Sequence, residues 1–137
     1  MSKSKTTVIA LDVGGARIGV AIADTSVKIA VPFGAIEVDG NEVQAIAQLV
    51  VKEDARVVVV GYPRNQAGEP TAQTASVEQF AAKLTGITDE LVFQDESLTS
   101  VMAEQRLKAR GGSYTKGDID AEAAVIILQD YIEEHVS

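Results

Sequence analysis

The sequence predicts an α/β domain, a mixed five-stranded sheet of three antiparallel strands followed by two parallel ones, flanked by helices. Three observations predict it. Apolar runs at the N-terminal end are joined by the short turns Gly14-Gly15-Ala16 and Thr25-Ser26-Val27-Lys28, which allow antiparallel pairing but no crossover. After Asp39-Gly40-Asn41 the hydrophobic period lengthens, with Val43, Ile46, Ala47 and Val50 on one helical face. Val57-Val58-Val59-Val60-Gly61 is then apolar throughout, the pattern of a parallel strand covered on both sides.

Each element follows from local composition. The first three strands are predicted over residues 7–13, 18–24 and 29–38. Pro32 places the third at an edge, because proline donates nothing to a ladder. A helix follows, then the strand at 57–61, and then the loop Tyr62 to Pro70, marked by two prolines and a glycine. The next helix shows Val77, Phe80, Ala81 and Leu84 on one face. Leu91 to Glu96 is a short strand, Thr99 to Ala109 a helix, and a last helix runs from near Asp118 to about Glu134. Strands that connect through helices lie parallel, with right-handed crossovers.

Composition bounds the function. The 137 residues suit one domain, 1–137, and the core is aliphatic, with 46% hydrophobic but only 4% aromatic residues. No run is long enough to span a bilayer, and the N-terminal apolar run is too short for a signal peptide. With no cysteine there is no disulfide framework and no thiolate metal site. A cytoplasmic protein that does not engage membranes is the expectation.

A net charge of −8 argues against a broad basic surface. A local one remains. Arg106, Lys108, Arg110 and Lys116 lie between Gln105 and Gly117, a stretch without an acidic residue. The alternative for Arg106 to Arg110 is a solvated helix end whose dipole favours cations.

The chemistry is carried by carboxylates. Asp12 sits near the end of an apolar run, where a charge is costly unless paired or bound to a cation. Its alternative is a turn residue bonding nearby amides. Asp95-Glu96 ends the last strand, and alternation turns the two to opposite sides of the sheet without saying which faces Asp12. Asp120, Ala123, Ala124, Ile127, Leu128 and Tyr131 are spaced as one stripe, so Asp120 is aimed inward at the head of the last helix. Asp118 suits the N-cap. Ligands in open sheets lie beyond the carboxyl ends of parallel strands, where these acids fall. Carboxylates in one cleft repel one another. A hard cation such as Mg²⁺ or Mn²⁺ relieves that repulsion and can activate water against a phosphodiester. The only histidine, His135, lies near the end of the chain and is poorly placed as a base.

Leu11-Asp12-Val13-Gly14 with Arg17-Ile18-Gly19-Val20-Ala21 and Asp24 resembles the first motif of the YqgF/RuvX family. Val60-Gly61-Tyr62-Pro63 with Gly68 resembles the second. Asp95-Glu96-Ser97-Leu98-Thr99-Ser100 with Ala103 resembles the third, and Ile119-Asp120-Ala121 with Ala123-Ala124 and Ile127-Leu128 the fourth. The resemblance spans the chain in order. It implies a ribonuclease-H-like fold and a nuclease acting at the 5′ end of pre-16S ribosomal RNA, or else a Holliday-junction resolvase. It also implies that Asp12, Glu96 and Asp120 are catalytic and bind metal, with Asp95 as a further candidate ligand.

Two departures weaken phosphate attraction. Ser97 stands where the family has Arg, and Gly15-Ala16 where it has Thr-Lys. Arg17, Arg64, Arg106, Lys108, Arg110 and Lys116 are left as candidate contacts to structured RNA or branched DNA. Two other functions compete: an ATP-binding fold of the actin/sugar-kinase type, which one small domain is too short to complete, and an RNA-binding assembly factor that does not cut. Monomer and homodimer both remain open.

Overall fold

The computed structural model describes residues 6–63, 69, 71–96 and 99–136. Three strands, β1 (Thr7–Val13), β2 (Arg17–Asp24) and β3 (Val31–Glu37), form the antiparallel meander. Helix α1 (Glu42–Glu53) crosses to β4 (Ala55–Pro63), which runs parallel to β1. Helix α2 (Ala72–Lys83) crosses to β5 (Glu90–Glu96), parallel to β4, and helices α3 (Thr99–Arg110) and α4 (Lys116–His135) complete the chain. The strand order is β3-β2-β1-β4-β5, the mixed sheet that the sequence predicts.

The two faces of the sheet hold different cores. On one, Ile9, Leu11, Ile18, Val20, Val58 and Val60 pack with Ile46, Leu49 and Val50 of α1 and with Val77 and Phe80 of α2. On the other, Val8, Ala10, Ala21, Ala23 and Val59 lie under Ala124, Val125, Ile127 and Leu128 of α4. Alternation along β1 feeds both faces, so Asp12, in step with Val8 and Ala10, belongs to the α4 face. The β1–β2 turn is tight: the Gly14 amide donates to the Arg17 carbonyl at 3.0 Å. A side chain at Gly14 would strike that oxygen.

Several boundaries differ from the prediction, each for a physical reason. β3 begins at Val31 rather than Ile29, because the Ala30 amide leaves the ladder and donates to Gln129 of α4 at 3.0 Å. Pro32 does lie on an edge strand, where the register with β2 shifts between Val20 and Ala21. β4 continues through Tyr62 and Pro63, predicted as loop, because both pair with the end of β5.

Helix α4 starts earlier than predicted. Its N-cap is Thr115, which accepts the Asp118 amide, while Asp118 returns a bond to the Thr115 amide. Asp118 is therefore the third helical residue, not the cap, and Asp120 lies in the second turn. Nor is α4 a one-sided amphipathic helix. Every residue from Ala121 to Leu128 is buried, because α3 packs on the side away from the sheet. Glu122 lies in this layer, 3% exposed, held by Arg106 at 3.2 Å and Arg110 at 3.0 Å. Tyr114, just before the cap, donates to Glu104 of α3 at 2.9 Å.

The tightest contact is between α4 and β2. A Cβ on Gly19 would stand 1.9 Å from the Asp120 carbonyl oxygen, so any side chain there displaces the helix. Gly15→Ala, by contrast, meets nothing within 4 Å. Gly19→Ala is expected to lose about 3 kcal/mol of stability and Gly15→Ala less than about 0.5 kcal/mol. Urea denaturation of both variants checks this. Equal losses would show that α4 is free to shift on the sheet.

Candidate acidic active site

The candidate site forms where the ends of β1, β4 and β5 meet the N-terminal part of α4. Asp12 pairs across the hairpin with Gly19, and the Asp120 backbone rests on that glycine. Asp12 and Asp120 thus approach from the sheet and from the helix above it. On the other side of Asp12, β1 and β4 pair through Leu11 and Val60, which brings Gly61 alongside at the next position.

Gly61 makes room for the third carboxylate. A Cβ there would lie 2.8 Å from Glu96 Oε1 and 2.6 Å from the Ile127 Cδ1 methyl. The alternation left open by the sequence is thereby resolved. Glu96 shares the α4 face with Gln94, whose amide donates to Glu134 of α4 at 2.9 Å. Asp95 points away, is exposed and pairs in register with Tyr62.

Electrostatics bind the three acids together. Burial, followed by repulsion from Glu96 and then from Asp120, pushes the Asp12 carboxyl from 3.8 up to about 7. Burial also raises Glu96, opposed by the hydrogen bond from Thr99, whose hydroxyl donates to Glu96 Oε2 at 2.6 Å. Asp120 has a cationic partner, since Arg17 Nε donates to its Oδ2 at 2.7 Å.

The donor set fits a hard divalent cation: three carboxylates on one face, one of them raised by desolvation and then by the repulsion of the other two. Among the described residues no group of three or more Asp, Glu or His side chains is already arranged around a single metal position. In the side chains as they stand, Arg17 and Thr99 each hold one carboxylate oxygen.

The basic residues divide. Arg17 is engaged with Asp120, and Arg106 and Arg110 are engaged with buried Glu122. These two arginines brace α3 against α4 while their side chains stay about half exposed, at 47% and 58%. Lys108 and Lys116 are exposed, and Lys116 lies one helical turn before Asp120. Arg64 lies outside the described residues.

Sequence reasoning missed Thr99, Gly19, Gly61 and Glu122. The glycines did carry a signal, because a glycine inside an apolar strand often marks a close approach. Glu122 carried none, as its partners lie on another helix.

Comparison with known proteins gives one consistent picture. Residues 6–134 match the family model described as "RuvX: Holliday junction resolvase". A Chloroflexus aggregans protein named "Putative pre-16S rRNA nuclease" is 41% identical over 135 residues, covering 95% of each chain. A Synechocystis protein of the same name is 41% identical over 138 residues, covering 97% of this chain and 90% of its own. Among solved structures, Thermus thermophilus RuvC superposes with a TM-score of 0.55 at 11% identity, covering 96% of this chain and 98% of its own. Fowlpox virus resolvase, solved with Holliday junction DNA, gives 0.57 at 12% identity, covering 96% of this chain and all of its own. These two likenesses show the ribonuclease-H-like fold. No helix among the described residues is long and apolar enough to cross a membrane.

The raised Asp12 has a consequence for stability without metal. The unfolded chain releases this proton near pH 3.8 and the folded chain only near pH 7. The group's contribution is therefore complete below the lower value and is lost as pH rises towards 7. Asp12→Asn removes that loss. In EDTA at pH 8 the variant is expected to exceed the wild type by on the order of 2 kcal/mol, with a smaller gain at pH 5. Urea denaturation at both values measures it, and no gain at pH 8 would contradict a destabilised Asp12 carboxylate.

Proposed function

The chain belongs to the RuvX family, and from that premise we propose that it is a divalent-metal-dependent nuclease that trims the 5′ end of pre-16S ribosomal RNA. The observation that carries this reading is the half-buried Asp12, raised first by desolvation and then by two further carboxylates on the same sheet face. The names of its relatives support the substrate.

Asp12 and Asp120 would hold Mg²⁺ or Mn²⁺, and Glu96 would hold it as well or orient the attacking water. When bound, the cation lowers the pKa of that water and stabilises charge on the phosphoryl oxygens. The chain's own residues supply the rest. Glu96, held by Thr99 and seated over Gly61, lies close enough to Asp12 to repel its charge. Arg17 places positive charge at the edge of the cluster. Lys116, exposed at the start of α4, is positioned to meet the phosphate backbone together with Lys108. Asp95, exposed on the far side of β5, has no part in this arrangement. A cytoplasmic setting accords with such a substrate.

A second reading is favoured by the family's description: cleavage of branched DNA at a Holliday junction. Symmetrical cuts on two strands would then need two copies of the chain.

The deciding experiment incubates the purified protein with pre-16S RNA and with a four-way DNA junction in Mg²⁺ or Mn²⁺. RNA cleavage is expected, with a loss of at least about 100-fold in Asp12→Asn and Asp120→Asn and none remaining in EDTA. Cleavage that survives either substitution or chelation would overturn the metal mechanism, and cleavage of the junction alone would select the second reading. Lys116→Ala is expected to weaken RNA binding about threefold, measured by fluorescence anisotropy, without lowering the melting midpoint. Arg106→Gln, which removes one of the two arginines paired with buried Glu122, is expected instead to lower stability by about 1–2 kcal/mol.

A further inference from the structure

Both oxygens of Glu96 are already placed. Oε2 accepts the Thr99 hydroxyl at 2.6 Å. Oε1 lies over Gly61, in the space a side chain there would fill. Thr99 opens α3 and is only 7% exposed, so packing holds its hydroxyl against the carboxylate. The hydrogen bond from Thr99 restrains the carboxylate from turning about its last bond. Asp120 is constrained in a similar way, with Oδ2 occupied by Arg17.

We propose that Thr99 is a positioning residue that sets which divalent cation the acidic cluster accepts, by leaving Glu96 one oxygen for it. The inference rests on the metal-dependent reading above and adds a selectivity device. Mg²⁺ demands a small octahedron, keeps several waters and takes few carboxylates. Ca²⁺ gathers six to eight oxygens at longer distance and readily takes both oxygens of one carboxylate. A glutamate with one oxygen committed to a hydroxyl suits the first ion and disadvantages the second. Removing the hydroxyl frees Oε2, so the preference for Mg²⁺ over Ca²⁺ falls.

The full-length protein, free of nucleic acid, is titrated with MgCl₂ and separately with CaCl₂. Binding is followed by calorimetry and by the shift of the melting midpoint. Thr99→Val, with Thr99→Ala as a second hydroxyl-free variant should the first fold poorly, is expected to raise Ca²⁺ affinity relative to Mg²⁺ by about tenfold. Thr99→Ser keeps a hydroxyl and is expected to retain the wild-type ratio. A merely structural threonine would weaken both ions alike. That result, an unchanged ratio in the hydroxyl-free variants, or a ratio that Thr99→Ser fails to retain would overturn the proposal. Failure of the underlying reading looks different. The wild type would bind neither ion, or Asp12→Asn would bind as tightly as the wild type.

Discussion

The contact on which the rest of the structure depends is the seating of α4 on β2 at Gly19. The helix backbone occupies the space that a side chain would take, and Gly19 is the cross-strand partner of Asp12. One missing methyl group thus stacks the sheet carboxylate and the helix carboxylate at the same point. Ala10, Ala21 and Ala23 on the sheet and Ala124 on the helix continue the close approach away from the site. Dense packing of small residues leaves little room for the helix to relax. The α3 helix closes the other side through Glu122, so α4 is held from above and below.

That architecture imposes an electrostatic strain which the sheet does not relieve. Asp12 lies among apolar side chains and two other acids, and its raised pKa records both effects. The neighbours that offset this strain are few: Arg17 on Asp120 and Thr99 on Glu96. Each engages a flanking acid rather than the central one. Among the described residues Asp12 receives no hydrogen bond from another side chain, so the acid with the greatest need of a counter-charge is the one left without a side-chain donor. Structural ion pairs elsewhere in the chain are arranged differently. Glu122, more deeply buried than Asp12, has two arginines to itself.

Much of this was legible in the sequence. The short turns and the change of hydrophobic period specify the meander and the parallel pair, because they fix which connections are possible. Pro32 announces an edge by its missing amide. Asp120 reveals its inward direction through helical spacing, and Asp12 stands out as a charge near the end of an apolar run. What could not be read depends on distances between segments far apart in the chain. The choice between Asp95 and Glu96 needs the register of β5 on β4 and of β4 on β1, and no local pattern encodes that. The burial of α4 on all sides follows from α3 packing over it, so a stripe defined by one helix alone understates it. Both Thr115 and Asp118 are residue types that cap helices, so composition alone does not place the start of α4. The reciprocal pair they form is apparent only once the backbone is in place.

The brace between α3 and α4 separates two kinds of charge. Glu122 is almost fully withdrawn from solvent, so the attraction between it and its arginines is only weakly screened by dissolved ions. The exposed Lys108 and Lys116 lie in the same hairpin with their charges in open solvent, where ionic strength acts at full effect. Concentrated salt can therefore strip a polyanion from this surface while the helices that present it stay docked. On the proposed reading, in which Lys108 and Lys116 meet a phosphate backbone, scaffold and grip answer to different ionic conditions.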